Sequence, residues 1–257
     1  MGARLAWNNL LTVQGVVITS SSEAVGFTDD NLANPARWKK WRSGTATTDQ
    51  WVKFDLGSNL SLQCFAAINA EYTQAAGATL RVQANATDSW GSPTIDDLLV
   101  KPSPDFTRVQ TDWRAVPSSL RWVRFYFVNP GAMMTYFELG AVFAGTYLEP
   151  ARTVKSTLSV RRIDPSVQLY AVGGQRTSVI RQKFHQVSGA FALQTATARN
   201  DLRALYESTG WTYPAILAVD PNNPSLIFYG SLGGSMEAQH RGSNLWDVPI
   251  EFTEDVA

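Results

Sequence analysis

Trp51-Val52-Lys53-Phe54-Asp55-Leu56-Gly57 alternates polar or amphipathic side chains with purely apolar ones and then stops at a glycine. Successive side chains of an extended strand point to opposite faces, so Val52, Phe54 and Leu56 share one face while Trp51, Lys53 and Asp55 share the other. The stretch reads as a half-buried strand of a layered β structure. Upstream lie Val17-Ile18-Thr19-Ser20-Ser21-Ser22, Asp30-Asn31-Leu32 and the aromatic pair Trp38 and Trp41. Downstream come further β-rich runs over residues 62–68, 79–84 and 121–127, separated by Gly, Pro, Asn, Asp and Ser clusters. Short strands between turn signals are the pattern of a sandwich rather than of alternating strands and helices.

The 257 residues are long for one domain and ample for two, and 44% hydrophobic residues can supply a core. Charge excludes several function classes. There are 22 basic and 22 acidic side chains, and neither half is a polyelectrolyte, so no global field draws in nucleic acid or an anionic membrane. Arg161-Arg162 and Lys39-Lys40 are isolated pairs, not a basic stripe with interleaved aromatics. No run of about 18 apolar residues occurs, so no membrane span is expected, and the N-terminus lacks the apolar stretch of an ordinary secretion signal. A single cysteine, Cys64, excludes an intramolecular disulfide and a multi-thiolate zinc site.

A boundary is expected near Gly145-Thr146-Tyr147-Leu148-Glu149-Pro150, giving domains 1–148 and 149–257. In the second, strands are expected at 157–163, 166–172, 178–187, 215–219, 225–229, 234–240 and 244–253. The spacing of Ala198, Leu202, Leu205 and Tyr206 predicts one helix over about 197–209, with Thr197 as its N-cap and Gly210 as its stop. Asp220-Pro221-Asn222-Asn223-Pro224 reads as a tight reversal. In the last run Trp246, Val248, Ile250 and Phe252 face one way, while Asp247, Pro249 and Glu251 face the other; Pro249, without an amide donor, points to an edge strand.

No catalytic constellation is visible, and an enzyme is not expected. His185 and His240 are the only histidines, both in expected strands; Cys64 reads as a small buried hydrophobe. Asp96-Asp97 reads as a solvated turn, since neighbouring side chains on an extended segment point apart. Gly173-Gly174 and Gly233-Gly234 are turn or bulge glycines outside any phosphate-loop pattern.

The order of elements around Trp51–Gly57 resembles the discoidin family of galactose-binding-like jelly rolls over nearly all of residues 1–150. The resemblance implies a mostly β protein whose first domain is a jelly-roll sandwich with ligand-binding loops at one end. The candidates there are Arg37, Trp38 and Trp41 in one loop, with Lys39 and Lys40 at its rim, and Trp90 in another. An indole would stack on a sugar ring while arginine bonds its hydroxyls; alternatively Trp38 and Trp41 cap the core. Some family members hold calcium near the loop matching Asp29, Asp30 and Asn31, although these are also ordinary turn residues. No other metal and no cofactor is expected.

The closing stretch 136–145, followed by Pro150, is similar to the discoidin-like domains of tailed-phage tail and baseplate proteins. The β-rich second half with one helix and a Trp-Asp-Val-Pro-Ile-Glu-Phe ending is similar to the tail-tube and distal-tail fold of siphophages, with the two domains in reverse order. These resemblances imply a structural, ring-forming component of a phage tail tip or upper baseplate. Its partners would be copies of itself, with six-fold symmetry favoured over three-fold, together with tail-tube and baseplate hub proteins. Trp246, Pro249 and Glu251 would lie at the assembly interface, and the protein would be made in the host cytoplasm and reside in the virion. The alternative is a carbohydrate-binding, host-adhesion module that touches surface glycans.

Overall fold

A computed structural model of the chain describes residues 2–45, 48–72, 77–101, 109–129, 135–150, 158–170, 176–209, 212–234 and 236–255. The first part of the chain forms strands β1 (Arg4–Ala6), β2 (Val17–Ser20), β3 (Trp41–Arg42), β4 (Gln50–Ile68) and β5 (Thr79–Asn85). It continues with β6 (Ile95–Leu99), β7 (Val109–Val128), β8 (Glu138–Leu139) and β9 (Ala141–Gly145). Then follow β10 (Ser159–Ile163), β11 (Val167–Tyr170), β12 (Arg176–Val179), β13 (Phe184–Thr195) and the α-helix α1 (Ala196–Thr209). Last come β14 (Ala215–Ala218), β15 (Ile227–Gly233), β16 (Gln239–His240) and β17 (Leu245–Glu254). The protein is therefore mostly β, with one α-helix among the described residues. No helix among the described residues is long and apolar enough to cross a membrane.

The strands expected at 51–56 and 62–68 are one element. β4 runs antiparallel to β7 for most of its length, with register shifts between Asp55 and Leu60 and between Leu62 and Cys64. Its first limb also pairs with β2, and its second limb pairs with β9. The sheet curls at these shifts, in order β2-β4-β7-β5-β6, and encloses the core. Gly57 makes the bend: its φ of +76° is costly for a residue with a Cβ, and Asp55 Oδ1 accepts its N–H at 2.9 Å.

Alternation decides the core. Val52 lies beside Phe125 and Val82 across three strands, and Phe54 beside Val123 and Ala84, all fully buried. Each large side chain so buried contributes about 1.5–3 kcal/mol of transfer free energy. The N-terminal segment is pinned to β9 by Asn9, which donates to Val142 O at 2.8 Å and accepts from Ala144 N at 3.2 Å. A Cβ at Gly145 would collide with the Asn8 carbonyl, so only glycine fits there.

By compactness the chain divides into Arg4–Leu148 with Ala218–Ile227, and Met1–Ala3 with Glu149–Leu217 and Phe228–Ala257. A cut at residue 148 thus leaves a piece of the first unit, 218–227, in the later sequence. In the second unit the strands order as β14-β15-β17-β13-β10, with β16 beside β17 and α1 packed on β13 and β17. The β11–β12 hairpin stands as its own two-stranded sheet.

Several local expectations are corrected. The helix is capped not by Thr197 but by Thr195, whose Oγ1 accepts Ala198 N at 3.2 Å. Gly210, Gly173 and Gly174 lie outside the described residues, as does the start of the strand expected at 157–163. The strand expected at 178–187 is two: β12 ends at Val179, and β13 begins at Phe184 and runs on to Thr195. Of the described residues in the run 234–240, strand is kept at Gln239–His240. β17 is an interior strand, not an edge: β13 flanks it on one side, while on the other β16 pairs at Trp246–Asp247 and β15 at 251–254. Pro249 falls in the gap between those two partners, where a missing donor is tolerated. Asp220 and Asn223 make the expected reversal, accepting Asn222 N at 3.0 Å and Ser225 N at 3.1 Å.

Candidate functional site

The structure separates the aromatic residues proposed for ligand contact. Trp41 is fully buried, donates its indole N–H to Ser22 O at 3.1 Å and lies against Phe127 at 6.2 Å between centroids. Arg37 is 2% exposed, and its Nη2 donates to Asn69 Oδ1 at 2.6 Å inside the fold. Both side chains turn into the fold, Trp41 against apolar packing and Arg37 onto a buried amide. Trp38 is 67% exposed. Lys40 turns to the buried Glu138 carboxylate at 3.1 Å, which also accepts from Arg42 Nε at 2.6 Å.

Asp29, Asp30 and Asn31 begin a 3-10 turn, Asp29–Ala33, where Asn31 Nδ2 donates to Lys40 O at 2.8 Å. Burial, reinforced by the nearby Glu23, raises the Asp29 carboxyl above its ordinary range. Among the described residues no group of three or more His, Cys, Asp or Glu could hold a metal. Asp96 and Asp97 lie in strand β6 rather than a turn, and their partners differ: Arg81 Nε takes Asp96 at 2.7 Å, while Arg114 takes Asp97. Burial pushes the lone Cys64 thiol well up, as befits a core side chain. Trp246 is half-buried under the Arg199 guanidinium, 4.3 Å from its ring, with His240 at 4.7 Å; Glu251 is exposed.

Trp90 is different. With Trp51, Lys53, Asp88 and Arg124 it lines a cleft of about 300 Å³. Lys53 and Arg124 stand opposite each other on β4 and β7, one row from the Trp51–Tyr126 pair, on the face of the sheet away from the core. Asp88 and Trp90 come from the loop between β5 and β6. Asn85 ties that loop together: its Nδ2 donates to Ser89 O at 2.7 Å, and its Oδ1 accepts Ala86 N at 3.0 Å and Thr94 Oγ1 at 2.9 Å. A short polar side chain closing on its own backbone fixes a loop without a core beneath it.

Inside the cleft Asp88 accepts from Lys53 Nζ at 2.7 Å and from the Trp90 indole N–H at 2.6 Å. Its slight burial pushes the carboxyl up, but these two donors together with the charges of Lys53 and Arg124 hold it below its ordinary range. The Arg124 guanidinium lies 4.3 Å from the Trp90 ring centre and 4.7 Å from that of Tyr126. Gln83 Oε1 accepts its Nε at 2.8 Å and its Nη2 as well. Gln83 is held in turn by Asp96, to which it donates at 3.0 Å. Lys53 Nζ lies 5.0 Å from the Trp122 ring and 5.5 Å from Trp51. Tyr126 donates its hydroxyl to Asp49, which also accepts Asn129 N at 2.8 Å. Burial first, then that bond, raises the tyrosine pKa.

Sequence reasoning found Trp90 but missed the other four residues. Trp51 and Lys53 carried the only available signal, an indole and an amine on the outward face of a strand, and Arg124 and Tyr126 repeat it on β7.

No protein-family model and no curated protein matches the chain. Among solved structures it is similar to chitosan-binding module 1 from a chitosanase/glucanase of Paenibacillus sp. IK-5, at 18% identity and TM-score 0.41, over 54% of this chain and 99% of that one. It is also similar to a fucose binding module of Streptococcus pneumoniae, at 10% identity and TM-score 0.43, over 54% of this chain and 94% of that one. The functional reading therefore rests on the chain's own residues.

Proposed function

We propose that this chain is a glycan-binding module whose ligand occupies the cleft of Trp51, Lys53, Asp88, Trp90 and Arg124. The observation that carries the reading is the cleft itself: indole surface, a carboxylate acceptor and two cationic donors converge on one space of about 300 Å³. That is the lower end of the usual range for small-ligand sites, about 300–1,000 Å³, and suits one or two sugar units. Hydroxyl groups of a sugar both donate and accept, so the N–H groups of Lys53 and Arg124 left over from their protein partners, beside the second lone pairs of the Asp88 oxygens, offer them partners of both kinds. Preformed hydrogen bonds keep the ordering cost of binding low. A glycan array probed with the purified chain should give signals that vanish in Trp90→Ala and persist in Trp38→Ala. Silence of the folded protein across the array and across insoluble polysaccharides would overturn the reading.

A second reading is the ring-forming tail-tip component implied by the tail-tube resemblance, resident in the virion. One observation favours self-association: on the β11–β12 hairpin, a two-stranded sheet of its own, and just beyond it, Val167, Leu169, Val179 and Ile180 are 43%, 54%, 43% and 87% exposed. An isolated two-stranded hairpin is marginal in water and gains from a covering surface. Electron microscopy and light scattering of the purified protein should then find closed rings that Leu169→Asp with Ile180→Asp dissolves. A monomer at high concentration would exclude this reading and leave the first intact.

A further inference from the structure

Resting on the glycan-binding reading and deepening it, we propose that the cleft selects acidic glycans, receiving a sugar carboxylate or sulfate between Lys53 and Arg124. Two observations carry this. First, a cation already lies over each ring: Arg124 is 4.3 Å from the Trp90 centre and 4.7 Å from that of Tyr126, and Lys53 is 5.5 Å from Trp51 and 5.0 Å from Trp122, so part of the aromatic surface is taken. The aromatic residues serve mainly to hold cations in place, so N–H groups meet the ligand before bare indole does.

Second, donors exceed acceptors. Of the five N–H donors of a guanidinium and the three of an ammonium, two go from Arg124 to Gln83 and one from Lys53 to Asp88, leaving three and two for a ligand. The one carboxylate lining the cleft, Asp88, already accepts at both oxygens. The nearby Asp96 is engaged by Arg81 and Gln83. The lining charges, Lys53 and Arg124 against Asp88, leave one positive charge in excess. Donors without a protein partner, on side chains of net positive charge carried by a rigid sheet, suit an anion with planar or tripodal oxygens.

The test uses the full chain and pairs of ligands that differ only in charge: oligogalacturonate and oligomannuronate against their methyl esters, and a sulfated oligosaccharide against its desulfated form. Calorimetry should show at least one charged ligand bound ten-fold or more tighter than its neutral twin, the ratio shrinking as sodium chloride rises from 50 to 500 mM. Arg124→Gln and Lys53→Gln, each checked for an unchanged melting curve, should remove that ratio. The indole N–H resonances of Trp51 and Trp90 should shift on titration in the parent protein. Equal affinity for charged and neutral twins would overturn the selectivity while leaving glycan binding standing. Binding to neutral glycans alone would do the same. No binding to any of them would sink both.

Discussion

Trp38 and Trp41 sit on one short segment and meet opposite fates, one 67% exposed and the other fully buried. Trp41→Ala should cost about 3–5 kcal/mol in urea unfolding, as expected for deleting a wholly buried aromatic, whereas Trp38→Ala should change stability by no more than about 0.5 kcal/mol. Equal effects would mean that the indoles are misplaced. Asp164 gives a pH prediction. The Ser166 hydroxyl first, then Lys183 and the Ser166 N–H, hold its carboxyl down to about 2 from an ordinary 3.8. A folded-state value below the unfolded one stabilises above pH 3.8, and the contribution disappears as pH falls from 3.8 to about 2. Asp164→Asn should therefore have a lower urea midpoint than the parent at pH 5, with the difference shrinking as pH falls through 3.8 and closing only below pH 2. Little of the cleft was legible at this scale. Residue type says that Lys53 is amphipathic, but only the register of β4 on β7 sets it beside Arg124, and only the fold of a distant loop brings Asp88 to it.

Elements were more legible where one periodicity ruled. The alternation of Val52, Phe54 and Leu56 and the helical stripe of Ala198, Leu202 and Leu205 each mark their buried face, because burial follows from period alone. Ends were less so. Thr195 and Thr197 are both good caps by composition, and the choice between them depends on where β13 ends. Thr195→Ala should cost about 0.5–2 kcal/mol, and Thr197→Ala a few tenths, by thermal unfolding. The β5–β6 loop is the element on which binding depends. Asn85→Ala leaves Asp88 and Trp90 in place in the sequence but frees the loop, so any glycan affinity should fall several-fold with no change in the melting of the sandwich core. Unaltered affinity in that variant would mean the loop needs no such tie.

For the whole molecule, a net charge of zero hides a cleft with one positive charge in excess, and composition cannot reveal that separation. Contiguity was equally opaque. The first unit takes in Ala218–Ile227, whose 3-10 turn Pro224–Leu226 packs on β7. A fragment of residues 1–148 should therefore melt at a lower temperature than the sandwich does within the full chain; identical melting would show that the later segment contributes nothing. The long strands β4 and β7 have one more consequence. Each runs through both limbs of the curled sheet, so neither limb can open while the other stays closed. Deuterium should enter their paired amides only when the whole sandwich lets go, and with one common opening free energy. A ligand held on the outer face at Lys53 and Arg124 would slow that exchange even at Ile68 and Val109, the far ends of the same strands.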